Sequence, residues 1–183
     1  MTELKPIPAS RLSSGSFLHD CKPDDLVYFL LNVGDGDSQV LLLPEDKPGQ
    51  RQAIVVGAAN SRKTLDLFET LADGERPLLP ERDDLVALVV ATHPHEDHVK
   101  GIPKLLEQKQ PEEIWEPGYY YPGPGFFSVM KAIEKTPIRH LQPTSGLVRY
   151  IGPVKLTALS PGIGLRNRFD SYGIDTNNAS IAM

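Results

Sequence analysis

The sequence predicts a layered α/β fold, and three observations support this prediction. Apolar runs of strand length alternate with helical patterns from residue 26 onward. The run over residues 85–91 is wholly apolar, as expected of a strand that is buried on both faces. At 183 residues, the chain is long enough to bury a core as one domain. Alternating strands and helices would place that core between a sheet and the helices packed on it.

The N-terminal half contains a predicted leader, three strands and a helix. Residues 1–25 are polar and contain prolines, so we expect them to lie over the surface. Apolar runs separated by polar turns and loops predict three strands, over 26–33, 38–43 and 52–56. The first is expected to be buried on both faces, and residues 34–37 form the turn after it. Ser61 is a suitable N-cap for the helix that follows, and Gly74 is a natural end for it.

The C-terminal half continues the alternation after the strand over 85–91. Two helices are predicted, over 99–110 and 126–135, with Pro103 in the first turn of the former, where proline is tolerated. Residues 111–125 are predicted to form a loop. Strands are predicted over 138–141 and 154–159, and residues 177–183 resemble a strand that is cut short.

Composition and charge exclude several classes of protein. The net charge of −5 and pI of about 5.5 disfavour a general binder of nucleic acid or anionic membranes, although a locally positive cleft remains compatible. A single cysteine, Cys21, excludes an intramolecular disulfide and a thiolate-rich zinc site. The sequence shows neither a secretory signal nor an apolar run of membrane-spanning length, so we expect a cytoplasmic protein with no membrane partner.

The most informative motif directly follows the strand over 85–91. Three of the five histidines fall within six residues, together with a carboxylate, and the motif consists of His93, His95, Asp97 and His98. Residues two apart on an extended segment point to the same side, so His93 and His95 can converge. If a helix begins after His95, Asp97 and His98 approach from a second direction. These ligand types suit zinc, manganese or iron; the alternative is a group of surface histidines at a helix start.

The spacing resembles the His-x-His-x-Asp-His signature of the metallo-β-lactamase superfamily. Residues 32–38 resemble the Val-Gly-x-Gly-Asp-Ser hairpin of one branch, which includes the hydrolase domain of bacterial competence (DNA-uptake) proteins. Gly101, residues 159–161 and residues 177–181 match the same branch. The resemblance spans residues 26–183, which we therefore treat as one metallo-β-lactamase-like domain.

Membership of this family would imply an αββα sandwich, here its N-terminal part only, and a metal-dependent hydrolase. It would bind one or two metal ions, commonly zinc, with manganese and iron as alternatives. The resemblance assigns His93 and His95 to the first metal, and Asp97 and His98 to the second. Asp97 would also act in catalysis by orienting the attacking metal-bound hydroxide. The expected substrate carries an ester-type bond, with small-molecule or nucleic-acid phosphodiesters first.

The sequence departs from the family pattern in two places. Gly57 stands where the family usually has an acidic residue that supports the site through hydrogen bonds. The family's bridging aspartate and a further histidine would follow the segment 177–181, and so lie beyond residue 183. We therefore expect either a fragment of a longer enzyme or a truncated, non-catalytic module that binds metal or a partner protein. Exposed apolar surface on a half-sandwich would also favour self-association.

Two other features remain open. His140 lies in a predicted strand without an acidic neighbour in sequence, which favours a structural role. Residues 115–127 hold six of the thirteen aromatic residues. They form either a loop over the metal cleft that stacks on substrate, or a mixture of core and surface side chains.

Overall fold

The computed structural model has three layers. It describes residues 18, 20–73, 77–79, 85–166 and 176–183. A six-stranded sheet carries helices on one face and a two-stranded sheet on the other. This arrangement confirms the predicted layered α/β class. The predicted leader over 1–25 lies largely outside the described residues, as does Gly74, the predicted helix end.

The main sheet combines antiparallel and parallel strands. In spatial order, its strands are β1 (Val27–Leu30), β2 (Ser38–Leu42), β3 (Ala53–Ala58), β4 (Val86–Val90), β5 (Glu113–Trp115) and β6 (Arg139–Leu141). Strands β1, β2 and β3 pair antiparallel, whereas β3 to β6 are parallel. The carboxyl ends of four strands therefore meet at one edge of the sheet, where ligands bind in open α/β sheets.

Helices cover one face of the sheet. These are α1 (Ser61–Ala72), α2 (Glu96–Val99), α3 (Ile102–Lys109) and α4 (Pro124–Lys135), and a further short helix, α5 (Ile163–Arg166), follows the hairpin in sequence. The Asn60 side chain caps α1 by accepting a hydrogen bond from the Lys63 amide, so the cap lies one residue before the predicted Ser61. Apolar side chains of α1, α3 and α4 pack against the sheet: Phe68, Leu71, Ile102, Leu105, Leu106, Val129 and Ile133. Their 3.6-residue spacing explains why these segments form helices.

A β-hairpin covers the other face. Its strands are β7 (Val148–Ile151) and β8 (Val154–Thr157), which pair antiparallel. Ile151 and Leu156 pack against Trp115 in a second apolar cluster. A buried carboxylate joins the two sheets, because Arg149 Nε donates to Glu113 Oε2 over 3.2 Å and Trp115 Nε1 donates to Glu113 Oε1 over 2.5 Å.

The structure corrects four predicted segments. Strand β1 is an edge strand with one exposed face, not a strand buried on both faces: Leu26, Tyr28 and Leu30 are 55%, 55% and 69% exposed. The helix predicted over 99–110 begins only at Ile102 as α3, because Val99 ends the separate helix α2. The loop predicted over 111–125 contains strand β5. The tail forms a 3₁₀ turn over Thr176–Ala179 before Ala182 makes an isolated bridge to Ser160.

Candidate metal site

The histidine motif lies at the carboxyl edge of the parallel strands. Strand β4 ends at Val90, and the chain continues through His93 to His95, which is extended (φ −67°, ψ 142°). Helix α2 begins at the next residue and presents Asp97 and His98. The backbone thus delivers the motif from an extended segment and from a helix, as the spacing predicts.

Three imidazole rings come together there. The ring centroids of His93 and His98 are 3.9 Å apart, and those of His93 and His95 are 4.9 Å apart. Asp97 Oδ2 lies 3.4 Å from His98 Nε2. His93 is buried, whereas the Asp97 side chain is 52% exposed. The cluster therefore has a buried inner side and a carboxylate facing solvent.

The chemistry of this cluster fits a transition metal. The Nδ1 atom of His98 is buried and has no hydrogen-bond partner within the described part of the chain. A buried polar atom left in this way is costly, and a metal ion would satisfy an imidazole nitrogen. Across the described ranges, however, no three His, Cys, Asp or Glu side chains already stand in the geometry of a metal site. The side chains that could bind a metal lie close together, but their present orientations do not form a complete set of ligands around one point.

Backbone contacts from distant segments support the motif. The Asp37 amide donates to the Asp97 carbonyl over 3.0 Å, and the Asp37 carbonyl accepts from the Ala59 amide over 3.0 Å. Gly36 allows this approach, because a Cβ there would overlap the Asp97 carbonyl oxygen. Gly101 allows a second close approach, between the end of α2 and the end of β3. A Cβ at this position would lie 2.6 Å from the Ala58 carbonyl oxygen. The turn before β2 and the end of β3 therefore hold helix α2 in place.

Gly57 is required by the backbone. Its φ of +64° is unfavourable for residues with a side chain, and a Cβ there would lie 3.0 Å from the Asp37 carbonyl oxygen. An aspartate at this position would strain the same turn that supports Asp97. The departure from the family pattern is thus part of the local conformation.

A hydrogen-bonded chain leads from β1 to the turn beside the motif. The Tyr28 hydroxyl donates to Gln39 Oε1 over 2.7 Å, and Gln39 Nε2 donates to Asp37 Oδ2 over 2.5 Å. Partial burial of the phenol, with a contribution from the negative charge of Asp37, raises the pKa of Tyr28. The phenol therefore stays a hydrogen-bond donor through neutral pH.

A second polar cluster, which the sequence does not predict, lies at the same edge. Glu116 follows β5 directly and is 4% exposed. It accepts hydrogen bonds from Gln142 Nε2 over 2.6 Å and from the Gly118 amide over 2.8 Å. His140 Nε2 lies 3.1 Å from Glu116 Oε1, so this histidine has an acidic neighbour in space that it lacks in sequence. The sequence offered no signal for Glu116, because strand β5 lies in the segment predicted as a loop.

Some aromatic residues of the segment 115–127 are core or surface side chains, and one lies beside the histidine cluster. Trp115 is fully buried in the cluster between the sheets. Tyr121 lies edge-on to His95, with ring centroids 5.3 Å apart, and so borders the histidine cluster. Tyr120 and Phe127 are exposed. One ring of the segment is therefore placed to contact a molecule bound at the histidines.

A comparison with protein families adds decisive information. The model of the metallo-beta-lactamase superfamily matches residues 46–165, more than half of the chain and including the whole histidine motif. The chain belongs to this superfamily. Members are metal-dependent hydrolases or related oxidoreductases that bind metal ions, often zinc or iron. The layered fold agrees with the αββα sandwich of the superfamily. A comparison with curated proteins gives no match.

Solved structures show weaker likenesses. Rubredoxin oxygen:oxidoreductase from Desulfovibrio gigas is 16% identical, with a TM-score of 0.44 over 68% of this chain and 27% of that chain. A metallo-beta-lactamase with a HARLDQ motif from Cronobacter sakazakii is 14% identical, with a TM-score of 0.43 over 79% and 56%. A subclass B3 metallo-beta-lactamase from a soil metagenome library is 17% identical, with a TM-score of 0.40 over 75% and 53%. The chain therefore spans between 27% and 56% of the length of these structures.

Among the residues that the structure describes, no helix has the length and apolar character needed to cross a bilayer.

Proposed function

We propose that this chain is the metal-binding part of a metal-dependent hydrolase, with His93, His95, Asp97 and His98 holding one or two zinc ions. Manganese and iron are the alternative metals, since both accept imidazole and carboxylate ligands. The observation that carries the proposal is the convergence of three imidazole rings at the carboxyl edge of the sheet. One of their nitrogens, His98 Nδ1, is buried without a hydrogen-bond partner among the described residues.

The bound metal would supply a Lewis acid and lower the pKa of water toward neutrality. Asp97 is the residue placed to act on that water, because its carboxylate is half exposed while the neighbouring His93 is buried. Asp97 would orient the attacking water and accept its proton. Tyr121, beside His95, would contact the substrate on the solvent side.

The substrate is proposed by analogy. An ester-type bond, and a phosphodiester first, follows from the likeness of residues 32–38 and 177–181 to the competence-protein branch, and a fold alone does not determine a substrate. We also propose that the protein is cytoplasmic, and this proposal rests on the sequence alone.

The second candidate is a non-catalytic module that binds metal or a partner protein. Two observations favour it. Gly57 occupies the position of a supporting carboxylate, and the described side chains do not complete a coordination sphere.

Metal content and hydrolysis separate the two candidates. The chain is dialysed against zinc, manganese or iron(II) and analysed for metal per chain, next to His95→Ala and His98→Ala variants. His140→Gln is the matched control, because His140 pairs with Glu116 outside the motif. Hydrolysis of a chromogenic phosphodiester and of a carboxylic ester is measured on the same samples.

One or two ions per chain, lost in both alanine variants and kept in the control, would support the metal site. Hydrolysis that is also lost in Asp97→Asn, with metal retained, would support the enzyme. Metal binding without hydrolysis of either substrate would favour the non-catalytic module. Metal retained by His95→Ala and His98→Ala would contradict the assignment of these histidines as metal ligands.

A further inference from the structure

An aromatic patch adjoins the histidine cluster, and it consists of the rings of Tyr120, Tyr121, Phe126 and Phe127. Tyr120 and Phe127 are 63% and 50% exposed. The rings of Tyr120, Phe126 and Phe127 contact one another edge to face, with centroids between 5.7 and 6.0 Å apart. Exposed rings that cluster in this way favour a binding surface, whereas apolar side chains exposed singly need no such explanation.

The patch meets the histidine cluster at two points. Tyr121 lies edge-on to His95, with ring centroids 5.3 Å apart. Phe126 lines a small cavity together with His93 and Pro94. That cavity has a volume of about 10 Å³, which is at most the space of one water molecule. An apolar group larger than this would therefore lie on the exposed rings beside the histidines, not inside the protein.

Two glycines bring the patch close to helix α2. A Cβ at Gly123 would lie 2.4 Å from Cε1 of Tyr121, so this ring packs directly against the glycine. A Cβ at Gly125 would lie 3.2 Å from Cγ of Glu96, the first residue of α2. The beginning of α4 thus packs tightly on the motif helix. Rings that are already held in place lose little freedom when a ligand binds, which favours affinity.

The charge of the surrounding segment indicates which chemical group suits the patch. Residues 117–128 contain no charged side chain. Proteins that bind single-stranded nucleic acid through aromatic rings combine those rings with a positively charged groove, and this segment supplies no cation for that purpose. Aromatic rings without charged neighbours suit an uncharged aromatic or aliphatic group.

We propose that the patch binds an aromatic or other apolar group of the substrate, next to the ester bond at the histidines. This inference rests on the proposed hydrolase function and narrows its substrates to small esters of an apolar acid or alcohol. Tyr121 contacts the part of that group nearest the ester. Tyr120, Phe126 and Phe127 contact the part farther from it.

The test measures the affinity of the zinc-loaded chain for three phosphonates by isothermal titration calorimetry. They are methylphosphonate, benzylphosphonate and (4-phenylbenzyl)phosphonate, which share one metal-binding group and carry no ring, one ring and two rings. We expect each added ring to tighten binding about 5-fold, the contribution of a typical aromatic contact.

Substitutions assign each gain in affinity to a part of the patch. Tyr121→Ala should abolish the preference for benzylphosphonate over methylphosphonate, whereas Tyr121→Phe should keep it. Tyr120→Ala should abolish only the further gain from the second ring. Unchanged binding of methylphosphonate shows that each variant folds and holds zinc. The matched control is Tyr150→Ala, which removes a side chain that is also 63% exposed but lies on the hairpin, and it should change no affinity.

Equal affinity for the three phosphonates would overturn the patch as a substrate site and leave the metal site standing. An equal effect of Tyr150→Ala and Tyr120→Ala would overturn it as well. Binding of none of the three would overturn both this inference and a metal centre open to substrate. A preference for rings in a chain that hydrolyses neither ester would support the patch and count against the enzyme.

Discussion

Glycine residues determine how closely the histidine motif approaches the sheet. Gly36 and Gly101 leave room for backbone on either side of α2, and Gly57 adopts a left-handed conformation beneath it. At each of these positions the absence of a side chain lets two backbone segments come into contact. The contacts that support Asp97 are therefore between backbone atoms. Such contacts are rigid, which suits a ligand that must be held in one place.

Substitution of Gly57 tests this support. We expect Gly57→Ala to lower the free energy of unfolding by about 1–2 kcal/mol, because a side chain is disfavoured at φ +64°, with a further loss from the contact to the Asp37 carbonyl. Gly57→Asp should destabilise as well, although it restores the family's carboxylate. Urea denaturation measures both. Gly34→Ala, at φ +80° in open space, isolates the conformational cost. Equal stability of Gly57→Ala and the parent would contradict the interpretation.

At the scale of elements, the hairpin is fastened to the main sheet by one buried carboxylate. Glu113 is 1% exposed and holds Arg149 of β7 and Trp115 of its own strand. Arg139 of β6 lies farther away, at 3.6 Å, and its side chain is 61% exposed. The pair with Arg149 is therefore the buried polar contact that holds the hairpin, next to the apolar packing of Ile151 and Leu156.

Removal of this pair has a measurable cost. Arg149→Leu should lower the free energy of unfolding by about 2 kcal/mol, since a charged hydrogen bond to a buried carboxylate is lost. Arg139→Leu, the matched control, should cost less than about 1 kcal/mol because that pair is exposed. Thermal and urea unfolding measure both. If the two variants were equally stable, Arg149 would not anchor the hairpin.

The periodic elements were predictable and the short ones were not. The apolar run of β4 and the amphipathic pattern of α4 stand out in the sequence. Strand β5 has only three residues and begins with a glutamate. Strand β7 has an arginine and a tyrosine between its two apolar ends, so it lacks a regular apolar alternation. Both are strands because tertiary contacts, above all the Glu113–Arg149 pair, satisfy their polar groups. No local pattern contains that information.

The candidate site shows the same division. The His-x-His-x-Asp-His spacing predicted the convergence of three imidazoles, because it depends on local geometry alone. The supporting turn at Gly36 and the Glu116 cluster lie 61 and 19 residues from Asp97 in sequence, and only the folded sheet brings the turn to the motif. Long-range backbone contacts of this kind leave little trace in sequence beyond the glycines themselves.

At the scale of the whole molecule, the described residues leave apolar side chains exposed along the edge strand β1. Leu26, Tyr28 and Leu30 are exposed on the side of β1 that faces away from the α1 helix layer. Val148 and Tyr150 of the hairpin are exposed as well. Several exposed apolar side chains on one edge strand favour a protein interaction site there.

We therefore predict concentration-dependent self-association through β1. Sedimentation velocity should show an increasing average mass with concentration, and Leu26→Ser/Leu30→Ser should shift the protein to monomer. Phe127→Ser, which removes an exposed apolar side chain elsewhere, should leave association unchanged. A monomer at all concentrations, or an equal effect of Phe127→Ser, would contradict a role for β1.

The hydrogen bond from the Asp37 amide to the Asp97 carbonyl has a dynamic consequence. That amide proton exchanges with solvent when the turn over residues 34–37 separates from α2. Its exchange rate therefore measures the local opening that removes the support of the histidine segment. A ligand that binds only the supported form must slow this exchange in proportion to its occupancy. One amide, 60 residues upstream of Asp97, thus reports on an ion that it never touches.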